Sequence, residues 1–102
     1  MDNEILALIK QATSEHKVCH AYFEKDPGAR TIHPYGLFRT AQDKTMIACY
    51  QVGGYSSSGK LPEFRNFAIE KCKKIEILDK KFHVTESFNP SAPIYHWWIY
   101  HI

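Results

Sequence analysis

The residues Gly54-Tyr55-Ser56-Ser57-Ser58-Gly59-Lys60-Leu61 differ by one position from the phosphate-cradling loop G-x-x-x-x-G-K-[ST]. An apolar run, Met46 to Val52, precedes them, as a strand does in that motif. The chemistry fails at two points. Leu61 has no hydroxyl to offer a magnesium ion. The loop must also open a helix, whose first amides and dipole hold the phosphates. Leu61-Pro62-Glu63-Phe64-Arg65-Asn66-Phe67 reads instead as an aromatic-rich strand. "IEILD", Ile75 to Asp79, imitates a strand ending in a magnesium-binding Asp, but Glu76 interrupts it. A nucleotide-hydrolase reading is therefore rejected. The segment is expected to be a polar hairpin loop, free in its Gly and Ser residues and anchored by Tyr55.

The other reactive side chains form no catalytic pattern. Cys19 and His20 are neighbours on an expected strand, so they point to opposite faces and make no dyad. Asp43, Asp79 and Glu86 show no paired-carboxylate spacing. His16 and His20 straddle a helix-to-strand boundary, and His96 and His101 fall on opposite faces of a strand. No metal site, no cofactor and no enzymatic activity are expected. Three widely spaced cysteines without a C-x-x-C pair predict buried reduced thiols and a cytoplasmic location. No apolar run reaches membrane-spanning length and no signal peptide is visible, so no membrane partner is expected.

These groups must be positioned by a chain of 102 residues, one domain in size, with 44% hydrophobic and 14% aromatic residues. The formal charge of +2 is too small to imply nucleic-acid binding. Basic residues do gather from Arg65 through Lys71, Lys73, Lys74, Lys80 and Lys81, a run that most often marks a solvated face. Asp2 or Asn3 can cap a helix in which Ile5, Leu8, Ile9 and Ala12 share a face, ending near Ser14. The period then changes to two. Val18–Phe23, Arg30–His33, Tyr35–Phe38, Met46–Val52, Phe64–Ile69, Cys72–Leu78 and Ile94–Ile102 read as extended segments. Pro34 ends or bends one of them. Lys25-Asp26-Pro27-Gly28 and Thr40–Lys44 read as turns, and Asn89–Pro93 as a loop. The expectation is an N-terminal helix over 1–15 and a mainly β domain over 16–102, a small barrel or sandwich of five or six strands.

Cys49 to Lys60, followed by Phe64-Arg65-Asn66-Phe67-Ala68-Ile69-Glu70-Lys71-Cys72, resembles the WYL-domain family, especially its short stand-alone members. Arg30 to Leu37 resembles the family's R-x-x-x-P-x-G-L element, and Phe82 with the Asn89-Pro90 loop fits its closing part. The likeness runs from about His16 onward. The Trp-Tyr-Leu triplet falls near Thr45-Met46-Ile47, where none of the three residues is kept, and the R-x-F-x-[LIV]-[DE]-[RK]-I pattern ends in Cys72. The resemblance implies a small SH3-like or Sm-like β-barrel. It also implies a ligand-sensing module, often for nucleic acid or nucleotide-like ligands, in bacterial transcription control and phage defence. The single short helix leaves no built-in helix-turn-helix.

On that resemblance the ligand surface comprises Arg30, Tyr50, Arg65 and Lys71. Arg offers a planar fork to phosphate oxygens, and Tyr50 a ring for a base. Ser56, Ser57, Ser58 and Lys60 would form a polar flap over the ligand. Each has a plainer alternative. Arg30 and Arg65 can pair with Asp26, Glu63 or Glu70, Tyr50 can be core, and Lys71 can be a solvated strand position. A second reading uses the aromatic C-terminal segment, Tyr95, Trp97, Trp98 and Tyr100, as a protein interface, for instance in a homodimer.

Overall fold

A computed structural model describes residues 3–102. Helix α1 (Asn3–Glu15) is followed by strands β1 (Lys17–Phe23), β2 (Arg30–Arg39), β3 (Thr45–Gly54) and β4 (Glu63–Ala68). A 3-10 turn (Ile69–Lys71) then leads to β5 (Cys72–Lys81), and β6 (Trp97–His101) comes last. All strand pairs are antiparallel and form one sheet with the path β4-β3-β2-β1-β5, while β6 joins β2. The two ends of the path, β4 and β5, do not pair with each other, so the sheet is open. The Asp2 capping expectation lies outside the described residues; Asn3 is already helical.

Period decides which side chains go inward. In α1, Ile5, Ile9 and Ala12 recur at helical spacing and are buried. They pack on Cys19, Ala21, Ile32, Leu37, Ile47, Cys49 and Ile75, one face of the sheet. The helix ends on His16, which takes a left-handed φ of 53° and donates its amide to the Thr13 carbonyl at 3.3 Å. The opposite face carries a second core that the sequence reading did not separate from the first. Val18, Tyr35 and Phe82 are buried there against Tyr50, Phe64, Leu78, Val84, Phe88 and Ile102. The chain after β5 supplies the cover: Phe82 stacks on His33 at 4.6 Å, and Phe88 meets Tyr35 edge-on at 4.7 Å.

Four expected segments need correction. Arg30–His33 and Tyr35–Phe38 are one strand, not two. Pro34 pairs with Cys49 and Gly36 with Ala48, so Tyr35 is an extra residue in β2. A bulge of this kind is where a sheet tolerates proline. The bulge also resets the alternation, which is why Ile32 and Leu37, five apart, share a face. The fourth strand stops at Ala68, because Ile69 turns inward to 3% exposure and opens the 3-10 turn. The last strand is only Trp97–His101, with Ile94 to His96 outside it.

β2 divides one of its edges between two partners. Arg30–Ile32 pair with β1, and Gly36–Arg39 pair with β6. The β2–β6 approach is close at Gly36, where a Cβ would collide with the Tyr100 carbonyl oxygen and lie 2.8 Å from the His101 Cα. Within β6, Trp98 turns inward. It meets Phe38 at 5.7 Å and Tyr95 at 4.5 Å, and its indole N–H donates to the Pro90 carbonyl at 2.7 Å.

Candidate functional site

The loop between β3 and β4 is held from beneath by Gln51 and from the side by Arg65. Gln51 is fully buried on the helix-facing side of β3. Its amide donates to the Gly53 carbonyl at 3.0 Å and the Tyr55 carbonyl at 2.6 Å, and its side-chain carbonyl accepts from Arg30 Nη1 at 3.1 Å. Tyr55 N–H donates to the Ala29 carbonyl at 3.0 Å. Gly54 has φ 78°, and a Cβ there would run into the Ala29 carbonyl, so the chain can leave the sheet here only with glycine.

Arg30 is committed to the fold. Its Nε donates to Asp26 Oδ2 at 2.8 Å, and its guanidinium lies 4.8 Å from the Phe67 ring and 5.1 Å from the Tyr55 ring. The residue is 8% exposed. A buried charge so fully partnered holds the Asp26 turn, the loop base and β4 together, and it offers nothing to a ligand.

Arg65 is different. Its Nη2 donates to Ser56 Oγ at 3.0 Å, Ser58 Oγ at 2.6 Å and Glu63 Oε2 at 2.8 Å. Its Nε is enclosed and has no hydrogen-bond partner. The two serines are organised by their own backbone. Ser56 Oγ accepts from the Gly59 amide at 3.2 Å, and Ser58 Oγ from the Lys60 amide at 3.3 Å. Two hydroxyl oxygens and one carboxylate oxygen therefore gather around one guanidinium nitrogen. Ser57 and the Lys60 side chain stand in solvent.

The remaining expected ligand residues do not join this group. Directly opposed residues of an antiparallel pair share a face, and Cys49 opposes Arg65 while Tyr50 opposes Phe64. Tyr50 therefore lies on the other side of the sheet. There it packs at 4.8 Å from Phe64 and 6.3 Å from His33, as part of the second core. Lys71 is exposed on the 3-10 turn. The expected set of four resolves into one core anchor, one core ring, one exposed lysine and one arginine gripped by a serine loop. The plainer alternative, Arg65 paired with Glu63, is present beside the serine contacts, and Gln51 is the residue that the sequence reading misses. Gln51 carried a usable signal, being a polar residue inside an apolar strand run, with only Val52 between it and the glycines.

The thiols are not poised for nucleophilic chemistry. All three thiols are buried. Burial pushes Cys19 up to about 12, and it pushes Cys49 up further against the opposing pull of Arg30 and Arg65. Both are therefore protonated thiols at neutral pH. No group of three or more metal-ligating side chains occurs among the described residues. No helix among them is long and apolar enough to cross a membrane.

In the aromatic C-terminal segment a register shift interrupts alternation, so Tyr100 opposes Leu37 and Trp98 opposes Phe38 on the other face. Trp98 and Tyr100 turn in, and Tyr95 packs on Trp98 and Phe38. Trp97 is 68% exposed, Ile94 61% and Ile99 49%. Of the four residues expected at an interface, only Trp97 is presented to solvent, and Ile94 and Ile99 join it. Compared with protein-family models and with curated proteins, the chain matches none.

Proposed function

We propose that the chain is a non-enzymatic binding module of the WYL type, with the serine loop and Arg65 as its site for a phosphate-bearing ligand. The ligand class is single-stranded nucleic acid or an oligonucleotide, and the setting is the regulatory one that the family resemblance implies. The observation that carries this reading is the cap on Arg65. Ser56 and Ser58 place neutral oxygens where phosphate oxygens would sit. A phosphate would exchange hydroxyl acceptors for charged ones, which bind a guanidinium roughly twice as strongly. The strand path with a 3-10 turn between β4 and β5 also suits a small SH3-like or Sm-like barrel.

Fluorescence polarisation with labelled oligo(dT) and oligo(U) tests it. Binding is expected to weaken with salt and to be lost in Arg65→Ala, with unchanged circular dichroism confirming the fold. Absence of binding to any oligonucleotide or nucleotide overturns the reading, as does an Arg65→Ala variant that binds normally.

The exposed Trp97, Ile94 and Ile99 favour a second reading, an interaction module that associates through its last segment. Deleting residues 94–102 does not test this, because Trp98 and Tyr100 belong to the fold. Trp97→Ser does, and it is expected to change stability by no more than about 0.5 kcal/mol. Light scattering that finds the same monomer before and after substitution removes the homodimer.

A further inference from the structure

α1 covers its sheet face unevenly. Ile5, Ile9 and Ala12 sit over the buried centre, and the helix packs on β5, β2 and β1. Its flank towards β6 is left open. Leu6, Lys10 and Thr13 form a row along that flank, because residues three and four apart stack on a helix. Across from them run Ile99, Tyr100 and His101 of β6.

Between the two lie a pair of grooves that share Lys10 and Tyr100 as lining. The first, about 350 Å³, is lined almost entirely by apolar atoms, with Leu6 and Ala7 on one wall and Leu37 and Ile99 on the other. The second, about 380 Å³, continues towards the end of the helix and is mixed in character, with Ser14, His16 and His101 beside Tyr100 and Ile102. Both volumes fall in the range of about 300–1,000 Å³ typical of small-molecule sites. Lys10 stands at their junction. Among the described residues no Asp or Glu lines either groove.

From this we infer that the α1–β6 groove binds an amphipathic monoanion, a medium-chain carboxylate, with its hydrocarbon tail between Leu6, Leu37 and Ile99 and its carboxylate on Lys10. Two features select this class. The apolar stretch wants a tail that leaves water, at about 0.8 kcal/mol for each buried methylene. The one lining side chain that is a fixed cation, Lys10, lies where that stretch ends, and no Asp or Glu side chain lines the grooves beside it. A neutral hydrocarbon would leave Lys10 unused, and a cationic amphiphile would meet it as a like charge. This site is separate from Arg65, on different elements, and does not depend on the phosphate reading.

Isothermal titration with decanoate, below its micelle threshold, is the test. Decanol and decyltrimethylammonium serve as the neutral and cationic comparisons. Saturable one-to-one binding of decanoate is expected, with Lys10→Gln weakening it about tenfold, as loss of a charge-assisted contact does. Ile99→Glu, at a half-exposed position, is expected to abolish it while leaving the circular dichroism unchanged. Arg65→Ala is expected to leave it untouched, which separates this site from the phosphate reading. Equal binding of all three amphiphiles overturns the inference, as does no binding at all. A dimer in light scattering that Ile99→Glu dissociates overturns it too, because the groove's occupant is then a second copy.

Discussion

Arg30 Nη1 donates to the Gln51 side-chain carbonyl at 3.1 Å, and the Gln51 amide passes the connection on to the Gly53 and Tyr55 carbonyls. Both residues are buried. Removing either leaves polar groups without partners in a place water does not reach. Gln51→Ala and Arg30→Ala should each cost about 2–4 kcal/mol in urea denaturation. The double variant should cost less than the sum, since the two share one network. In hydrogen exchange the amide of Tyr55 should lose protection in both. Additive losses would show that the two residues act separately.

Gly36 lies where β6 comes closest to β2. Gly36→Ala sets a methyl against the Tyr100 carbonyl, so β6 must move away. Overpacking of this kind costs about 1–3 kcal/mol. Both tryptophans of the chain are in β6, so their emission reports its docking directly. A red shift in Gly36→Ala under native conditions is the expected result, and an unchanged spectrum with unchanged stability would disprove the close approach.

The Tyr100 hydroxyl is enclosed and has no hydrogen-bond partner, and burial pushes its pKa up to about 12. A buried donor without an acceptor is a net cost to the fold. Tyr100→Phe keeps the ring and removes that cost. The unfolding midpoint should rise, by about 1 kcal/mol of stability. A fall in the midpoint would mean that the hydroxyl is bonded after all.

His33 lies against Phe82 at 4.6 Å, and its pKa is lowered from 6.5, first by burial and then by Lys80. The folded state therefore favours the neutral ring. Stability from this residue is present above the unfolded value, and it is lost as pH falls through the lower folded value. Denaturation midpoints measured downward from pH 7 should decline, and His33→Phe should flatten that part of the curve. An equal slope in the variant would assign the decline to other groups.

Much of the fold was legible because periodicity survives wherever one face is buried. Ile5, Ile9 and Ala12 announce α1, and the run from Met46 to Val52 announces β3. The misreadings share a cause in long-range partners. Pro34 reads as an end or a bend because proline cannot donate to a ladder, and the bulge that decides for the bend becomes visible only with the β2–β3 register. Arg30 reads either as a ligand residue or as a partner of Asp26, and only the folded chain, with Gln51 buried beside it, decides for the second. Tyr50 and Arg65 look like companions in the sequence, yet their positions across β3 and β4 send them to opposite faces. The loop was read correctly as a loop, but only the folded chain shows Ser56 and Ser58 turned to Arg65, with Ser57 and Lys60 in solvent.

The divided edge of β2 has a consequence for how the chain is made. As the protein leaves the ribosome, β1 and β3 are available almost at once, whereas the Gly36–Arg39 edge waits for β6, the last strand to emerge. Until then Phe38 lacks Trp98 and Tyr95, and a row of backbone donors and acceptors stays open beside it. The nascent chain thus passes through a stage that exposes both an unpaired strand and an aromatic surface. Arg39, already on that edge and ion-paired to Asp43, is the charge that stands guard over it.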